Sequence, residues 1–181
     1  MTSNMFSRPH PRRALALMIA SLMGLNSLAQ AAEQAVTTVP VQSTDTGYSL
    51  TLKQLGRRDT MNLQGVESSD SVNFDIRADE VVKGAQLLLK YSYSPALLAD
   101  LSQINVLVNG EVAASLPLPK EGAGTQQEQL VQIPPKLITE FNRLSLQFIG
   151  HYTMSCEDPL HSSLWAKISN SSELKVQVEP I

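Results

Sequence analysis

Ile104-Asn105-Val106-Leu107-Val108-Asn109-Gly110-Glu111-Val112-Ala113-Ala114-Ser115-Leu116 is two short apolar runs joined by Asn-Gly. A two-residue hairpin turn needs positive φ at both central positions, and Asn and Gly tolerate that best. The stretch predicts a β-hairpin over 104–116, with Leu107 facing Val112 and Val106 facing Ala113. Both faces carry apolar groups, so this pattern leaves open which one is core.

The period-2 pattern repeats on both sides of the hairpin. Tyr48, Leu50 and Leu52 alternate with Ser49, Thr51 and Lys53, up to a break at Gly56-Arg57-Arg58-Asp59. Met61 to Gln64 reads as a short strand. Val72, Phe74 and Ile76 alternate cleanly with Ser71, Asn73, Asp75 and Arg77. Leu87, Leu89, Tyr91 and Tyr93 form another apolar face, as do Leu130 to Ile133, the series Leu144, Leu146, Phe148, and the series Leu174, Val176, Val178. The alternation places Phe74, Tyr91 and Phe148 in the core. Pro95 to Leu101 and Leu137 to Phe141 read as single helical turns, and Gly122-Ala123-Gly124-Thr125 as a loop. Eight or nine short strands without a long helix predict an all-β fold, a two-sheet β-sandwich of jelly-roll type.

The N-terminus reads differently. Arg8, His10, Arg12 and Arg13 precede an apolar run of 12 residues, Ala14 to Leu25, and then Ala29-Gln30-Ala31. A basic start, a short apolar run and small residues make a secretory signal peptide over 1–31. The run is too short for a membrane span, which needs about 20 residues. Residues 32–47, rich in Thr, Val, Gln and Ser, form a flexible lead-in, and 48–181 the sandwich. Such a signal implies export. Removing 1–31 from the 181 residues leaves 150, enough for a real core. The net charge of −3 becomes −6, because the signal holds three Arg and no acid. That balance argues against nucleic acid as a partner, since binding it draws on a basic face. A strand through Leu174, Val176 and Val178 runs up to Val178-Glu179-Pro180-Ile181 and stops, and this suggests a piece of a longer protein.

One stretch concentrates unusual residues. Gly150-His151-Tyr152-Thr153-Met154-Ser155-Cys156-Glu157-Asp158-Pro159-Leu160-His161-Ser162-Ser163-Leu164-Trp165 holds the only Cys, the only Trp and two of three His. It lies between a strand and an apolar run, as a long loop or strand corner. Cys156 is either a buried free thiol, a redox-exposed thiol, or half of a disulfide with a partner outside this chain. Asp158-Pro159 suits a loop turn. Glu157 and Asp158 are adjacent and point to opposite sides of an extended chain, so they cannot flank one glycosidic bond. No catalytic residue is nominated, and the chain reads as no enzyme. His151, Cys156, Asp158 and His161 are all zinc-ligand types but lack the close Cys or His pairs of structural sites, so no metal is assigned. Arg57 and Arg58 are the only adjacent arginines after the signal. Trp165, Tyr152 and Tyr48 could stack on a sugar ring, whose C–H face suits an aromatic platform. For Trp165 the competing reading is core, because aromatics are only 5% of the chain.

The run His151 to Pro159, closing on Ser163-Leu164-Trp165, resembles a motif of the periplasmic B subunit of bacterial cellulose synthase. Leu55-Gly56-Arg57-Arg58-Asp59, Ser94-Pro95-Ala96-Leu97-Leu98, Val106 to Glu111 and Phe148-Ile149-Gly150 fall in the matching order. The resemblance spans roughly residue 48 to the end. It implies a non-catalytic subunit beside a synthase that makes β-1,4-glucan, with carbohydrate-binding-like jelly rolls, further domains and an inner-membrane anchor. This chain would supply the first jelly roll. Implied partners are the catalytic synthase subunit, the nascent cellulose chain, and further domains or copies of the subunit. The family also carries a cyclic di-GMP label, which the residues here do not support; no cofactor is assigned. Two readings of the module remain. One is a glucan-guiding domain using His151, Tyr152 and Trp165. The other is a structural protein–protein module.

Overall fold

The computed structural model describes residues 46–181. The signal-peptide reading and most of the lead-in lie outside them. Thr46 and Gly47, assigned to the lead-in, belong to the first strand.

Ten strands follow in order: β1 (Thr46–Thr51), β2 (Met61–Gln64), β3 (Glu67–Asp75), β4 (Glu80–Tyr93), β5 (Gln103–Val108), β6 (Glu111–Pro117), β7 (Gln127–Ile133), β8 (Phe141–Ile149), β9 (Trp165–Ile168) and β10 (Glu173–Pro180). They form two antiparallel sheets. The second sheet runs β3-β8-β5-β6. The first is built on β4. One edge of β4 pairs with β7 over 85–91, and the other with β10 over 80–88 and β9 over 91–93. β9 and β10 are therefore one interrupted column, flanked in turn by β2 and β1. The two-sheet sandwich expected from the sequence is present.

The interruption at 169–172 is closed by a side chain. Lys90 lies between the two pairings, where the ladder would leave its backbone without partners. The buried hydroxyl of Ser172 accepts from Lys90 N at 2.9 Å and sits 3.3 Å from Lys90 O. Ser169 N also donates to that carbonyl at 2.8 Å.

Alternation sends one face of every strand inward. Leu87, Leu89, Tyr91 and Tyr93 of β4 and Leu174, Val176 and Val178 of β10 are buried. Ile104, Val106 and Val108 of β5, Leu144, Leu146 and Phe148 of β8, and Val72 and Phe74 of β3 are buried as well. Each such side chain contributes about 1.5–3 kcal/mol by leaving water. The core expected at Phe74, Tyr91 and Phe148 is observed, and β5 presents Ile104, Val106 and Val108 to it.

Three local expectations need correction. Leu107 faces Val112, but Val106 faces Ala114 rather than Ala113, because a bulge inserts Ala113 between them. The turn expected over Leu137–Phe141 is a 3-10 turn at Pro135–Leu137, and Phe141 instead opens β8. Between Pro95 and Leu101 only Ala99–Leu101 is helical, as a 3-10 turn; Leu97 is buried and Leu101 exposed, so the apolar spacing did not mark one helical face.

Candidate functional site

The loop from Gly150 to Leu164 is tied down at its ends. Gly150 N donates to Val66 O at 2.9 Å. His151 O accepts from Leu98 N at 2.7 Å, and His151 N donates to Ser102 Oγ at 3.1 Å. Further on, Pro159 O accepts from Val66 N at 3.0 Å, and Leu164 O from Gly65 N at 3.0 Å. The loop thus lies across the β2–β3 turn. Gly65 there has φ of 92°, and a Cβ on it would sit 3.1 Å from Pro159 O.

Glu157 organises the interior of the loop. One carboxylate oxygen lies 2.8 Å from His151 Nδ1, and the other accepts from Tyr152 N at 2.9 Å. Tyr152 Oη accepts from Asp158 N at 2.9 Å, and its ring stacks on His161 at 4.3 Å between centroids. His161 Nδ1 accepts from Ser163 N at 3.2 Å, which places the proton of the neutral ring on Nε2. Asp158 Oδ1 accepts from Leu160 N at 3.1 Å, and Asp158 O from His161 N at 3.1 Å. That is the turn expected at Asp158-Pro159. His151 and Tyr152 are therefore engaged within the loop, and His161 covers one face of the Tyr152 ring. The sequence reading missed Glu157 as the anchor, taking it only as half of an acidic pair.

The His151 ring, then the Tyr152 amide, hold the Glu157 carboxyl below the usual carboxylate range. A depressed acid stabilises the fold above its unfolded pKa of about 4.3, and that contribution is lost as pH falls through the lower folded value. Acidification should therefore loosen this loop. In an NMR pH titration the Tyr152 amide should shift with a midpoint below about 4.3. Glu157→Gln should abolish that step. A midpoint at the ordinary glutamate value in the unmodified chain would disprove the bond.

Trp165 stands apart from this network. It opens β9, pairs with Gln64, and accepts from Ser94 N at 3.1 Å through its carbonyl. Ala166 and Ile168 point into the core, so the half-buried Trp165 ring faces outward beside Lys167, whose Nζ lies 5.4 Å from the ring centroid. The ring is neither full core nor fully open. Cys156 is a free, exposed thiol among the described residues, so the buried-thiol alternative does not hold. Tyr48 is half-buried in β1, and its hydroxyl bonds Glu80, remote in sequence from the loop. Arg57 is engaged with Asp70, so Arg57 and Arg58 do not present one open pair. Among the described residues, no group of three His, Cys, Asp or Glu is placed to hold a metal ion.

A family model described as "Cellulose synthase BcsB, first CBM domain" matches residues 45–180. The chain is 96% identical over all 181 residues to a "Cyclic di-GMP-binding protein" of Pseudomonas fluorescens (strain SBW25), and covers 24% of that protein. It is 29% identical over 133 residues to "Cellulose synthase 1" of Komagataeibacter xylinus, spanning 74% of this chain and 8% of that one. Among solved structures, a family 35 carbohydrate binding module from an environmental isolate aligns with a TM-score of 0.39 and 13% identity, over 66% of this chain and 74% of that one. The chain thus spans about a quarter of the length of its Pseudomonas relative.

Proposed function

The chain belongs to the cellulose synthase BcsB family, as its first CBM domain, and from this premise we infer that it is a non-catalytic module that contacts nascent β-1,4-glucan. One observation carries the reading. The outward ring of Trp165 lies on a sheet face whose neighbouring positions, Asn62, Gln64, Ser92 and Lys167, are all polar. An apolar ring with a hydrogen-bonding surround is what a pyranose offers its complement to. His151 and Tyr152, nominated with Trp165, are tied into the loop by Glu157 and Asp158, so the reading rests on Trp165. The partners in this reading are the catalytic synthase subunit and its product chain, with the domain exported to the periplasm as part of a longer, inner-membrane-anchored protein. Cyclic di-GMP belongs to the relative's printed name. The commitment of Arg57 to Asp70 argues against a dinucleotide site on this domain.

A titration of the 181-residue chain with cellohexaose, read by NMR, tests this. Amides at Gln64, Trp165 and Lys167 should move. Trp165→Ala should weaken binding about tenfold, the factor that about 1.4 kcal/mol makes. The variant should remain folded, because the ring faces outward. A chain that shows no response to the sugar would overturn the reading in favour of a protein–protein module. That second reading has its own support: Met154 and Leu160, on either side of the exposed Cys156 in the loop sequence, are 83% and 85% exposed.

A further inference from the structure

The outer face of the first sheet carries a groove of about 410 Å³ that the family reading does not explain. Its floor is two glycines. Gly47 of β1 and Gly84 of β4 each pair with Gln177 of β10, so the three lie in one row across three strands. The next row is Ser49, Lys175, Gln86 and Gln132, one residue from each of β1, β10, β4 and β7. Four strands spaced about 4.8 Å apart make this row about 14 Å long. With no Cβ at Gly84, the Gln177 side chain folds over the β4 backbone, and its amide forms the surface of the hollow there. A Cβ on Gly84 would come within 2.9 Å of Gln177 Oε1.

Ser49 and Tyr48 at its margin bond Glu173 and Glu80, but the amides around that floor are uncommitted among the described residues. None of the side-chain amides of Gln86, Gln132 and Gln177 hydrogen-bonds another described residue. The second sheet uses the same chemistry in the opposite way. There Gln103 donates to Asn105 at 3.0 Å, Asn105 to Gln147 at 2.9 Å, and Gln147 to Glu67 at 2.8 Å. Ser115 closes that chain on Asn105 at 2.7 Å. Those amides are knitted together on the second sheet, whereas Gln86, Gln132 and Gln177 on the first are left open and ring a hollow.

The chemistry of the hollow selects its occupant. Each amide offers two donors and an acceptor, so three of them match a ligand rich in hydroxyls. No carboxylate lines the groove, and its one cation, Lys175, lies 3.9 Å from Glu173. An anionic ligand would call for clustered or bidentate cations. A peptide strand would add to a sheet edge, whereas this hollow crosses a sheet face.

We propose that the groove between Gly47 and Gly84 is a second glucan subsite, in which Gln86, Gln132 and Gln177 bind chain hydroxyls. This rests on the glucan-contact reading above and extends it. Trp165 is on the same face. From Gly84 the outward positions of β4 run through Gln86, Leu88 and Lys90 to Ser92, which pairs with Lys167 of β9. That path is roughly 26 Å of strand, so a long chain touches both ends and a short one only one.

The test is an NMR titration of the 181-residue chain with cellotriose and with cellohexaose, on the unmodified protein and two variants. Gly84→Leu fills the floor, and the pair Gln86→Ala and Gln132→Ala removes two of the three amides while leaving backbone and core untouched. The inference expects amide shifts at Gly47, Gly84, Gln86, Gln132 and Gln177. It also expects each variant to lose at least tenfold in affinity at those positions while the Trp165 response persists. Shifts confined to Trp165 and Lys167 overturn the groove and leave the glucan reading standing. Silence at both places overturns both. Binding at the groove that survives the double alanine variant also overturns the assignment of the amides.

Discussion

Gly150→Ala is expected to destabilise the fold by about 1–3 kcal/mol or more, although it adds one methyl group. The cause lies two residues earlier. Phe148 is fully buried, and residues at i and i+2 of a strand share a face. Its ring lies over Gly150, so a Cβ there would overlap the ring, with Cε1 at 2.9 Å and Cε2 at 3.1 Å. Truncating the ring is the larger loss: Phe148→Ala should cost about 3–5 kcal/mol, as buried Phe does elsewhere. The two sites touch, so they should not add. Phe148→Leu in the Gly150→Ala background should recover part of the loss, because a smaller side chain frees the space. Urea melts would show the midpoint falling with an unchanged slope. A Gly150→Ala chain melting with the wild type would refute the packing argument.

The hairpin turn should show the second large effect. Asn109 has φ of 54°, a conformation that disfavours most side chains. Its amide nitrogen donates to Leu137 O at 2.9 Å and to the buried Asn142 Oδ1 at 3.0 Å. Its side-chain oxygen Oδ1 accepts from Arg143 N at 2.9 Å. The residue thus sets the turn and binds the start of β8 to the end of β5. Asn109→Gly keeps the backbone and loses the bonds, at about 1–3 kcal/mol. Asn109→Ala loses both, and should cost about 1–2 kcal/mol beyond the glycine variant. Equal stability of the two variants would mean that the backbone conformation contributes nothing.

The same Asn109 shows why the strands were legible and the rest was not. Asn-Gly between apolar runs is a local signal with a local cause, and so is the alternation at Val72, Phe74 and Ile76. The bulge at Ala113 follows from how β6 meets β5, which no single strand records. β9 is four residues long, too short for its period to stand out; the sequence showed only an apolar run. Phe141 was misread because one turn of helical spacing and one strand end look alike. Around the loop, the turn at Asp158-Pro159 was readable, while the role of Glu157 depends on His151 and Tyr152 folding back to it. The groove was hidden most deeply. Gly47 and Gly84 lie on different strands and meet only through their common partner, Gln177.

The pairing of Thr46 with Val178 gives the domain a mechanical character. β1 is held to its sheet through β10, and the two run antiparallel, so Thr46 and Val178 lie side by side, about 5 Å apart, with β10 ending two residues further on at Pro180. In a longer chain continuing from both points, the domain would hang like a pendant from the main path. Tension along that path would not load all the rungs of the ladder together. It would peel β1 from β10 one pair at a time, starting at Thr46, and the hollow floored by Gly47 would be the first thing to open.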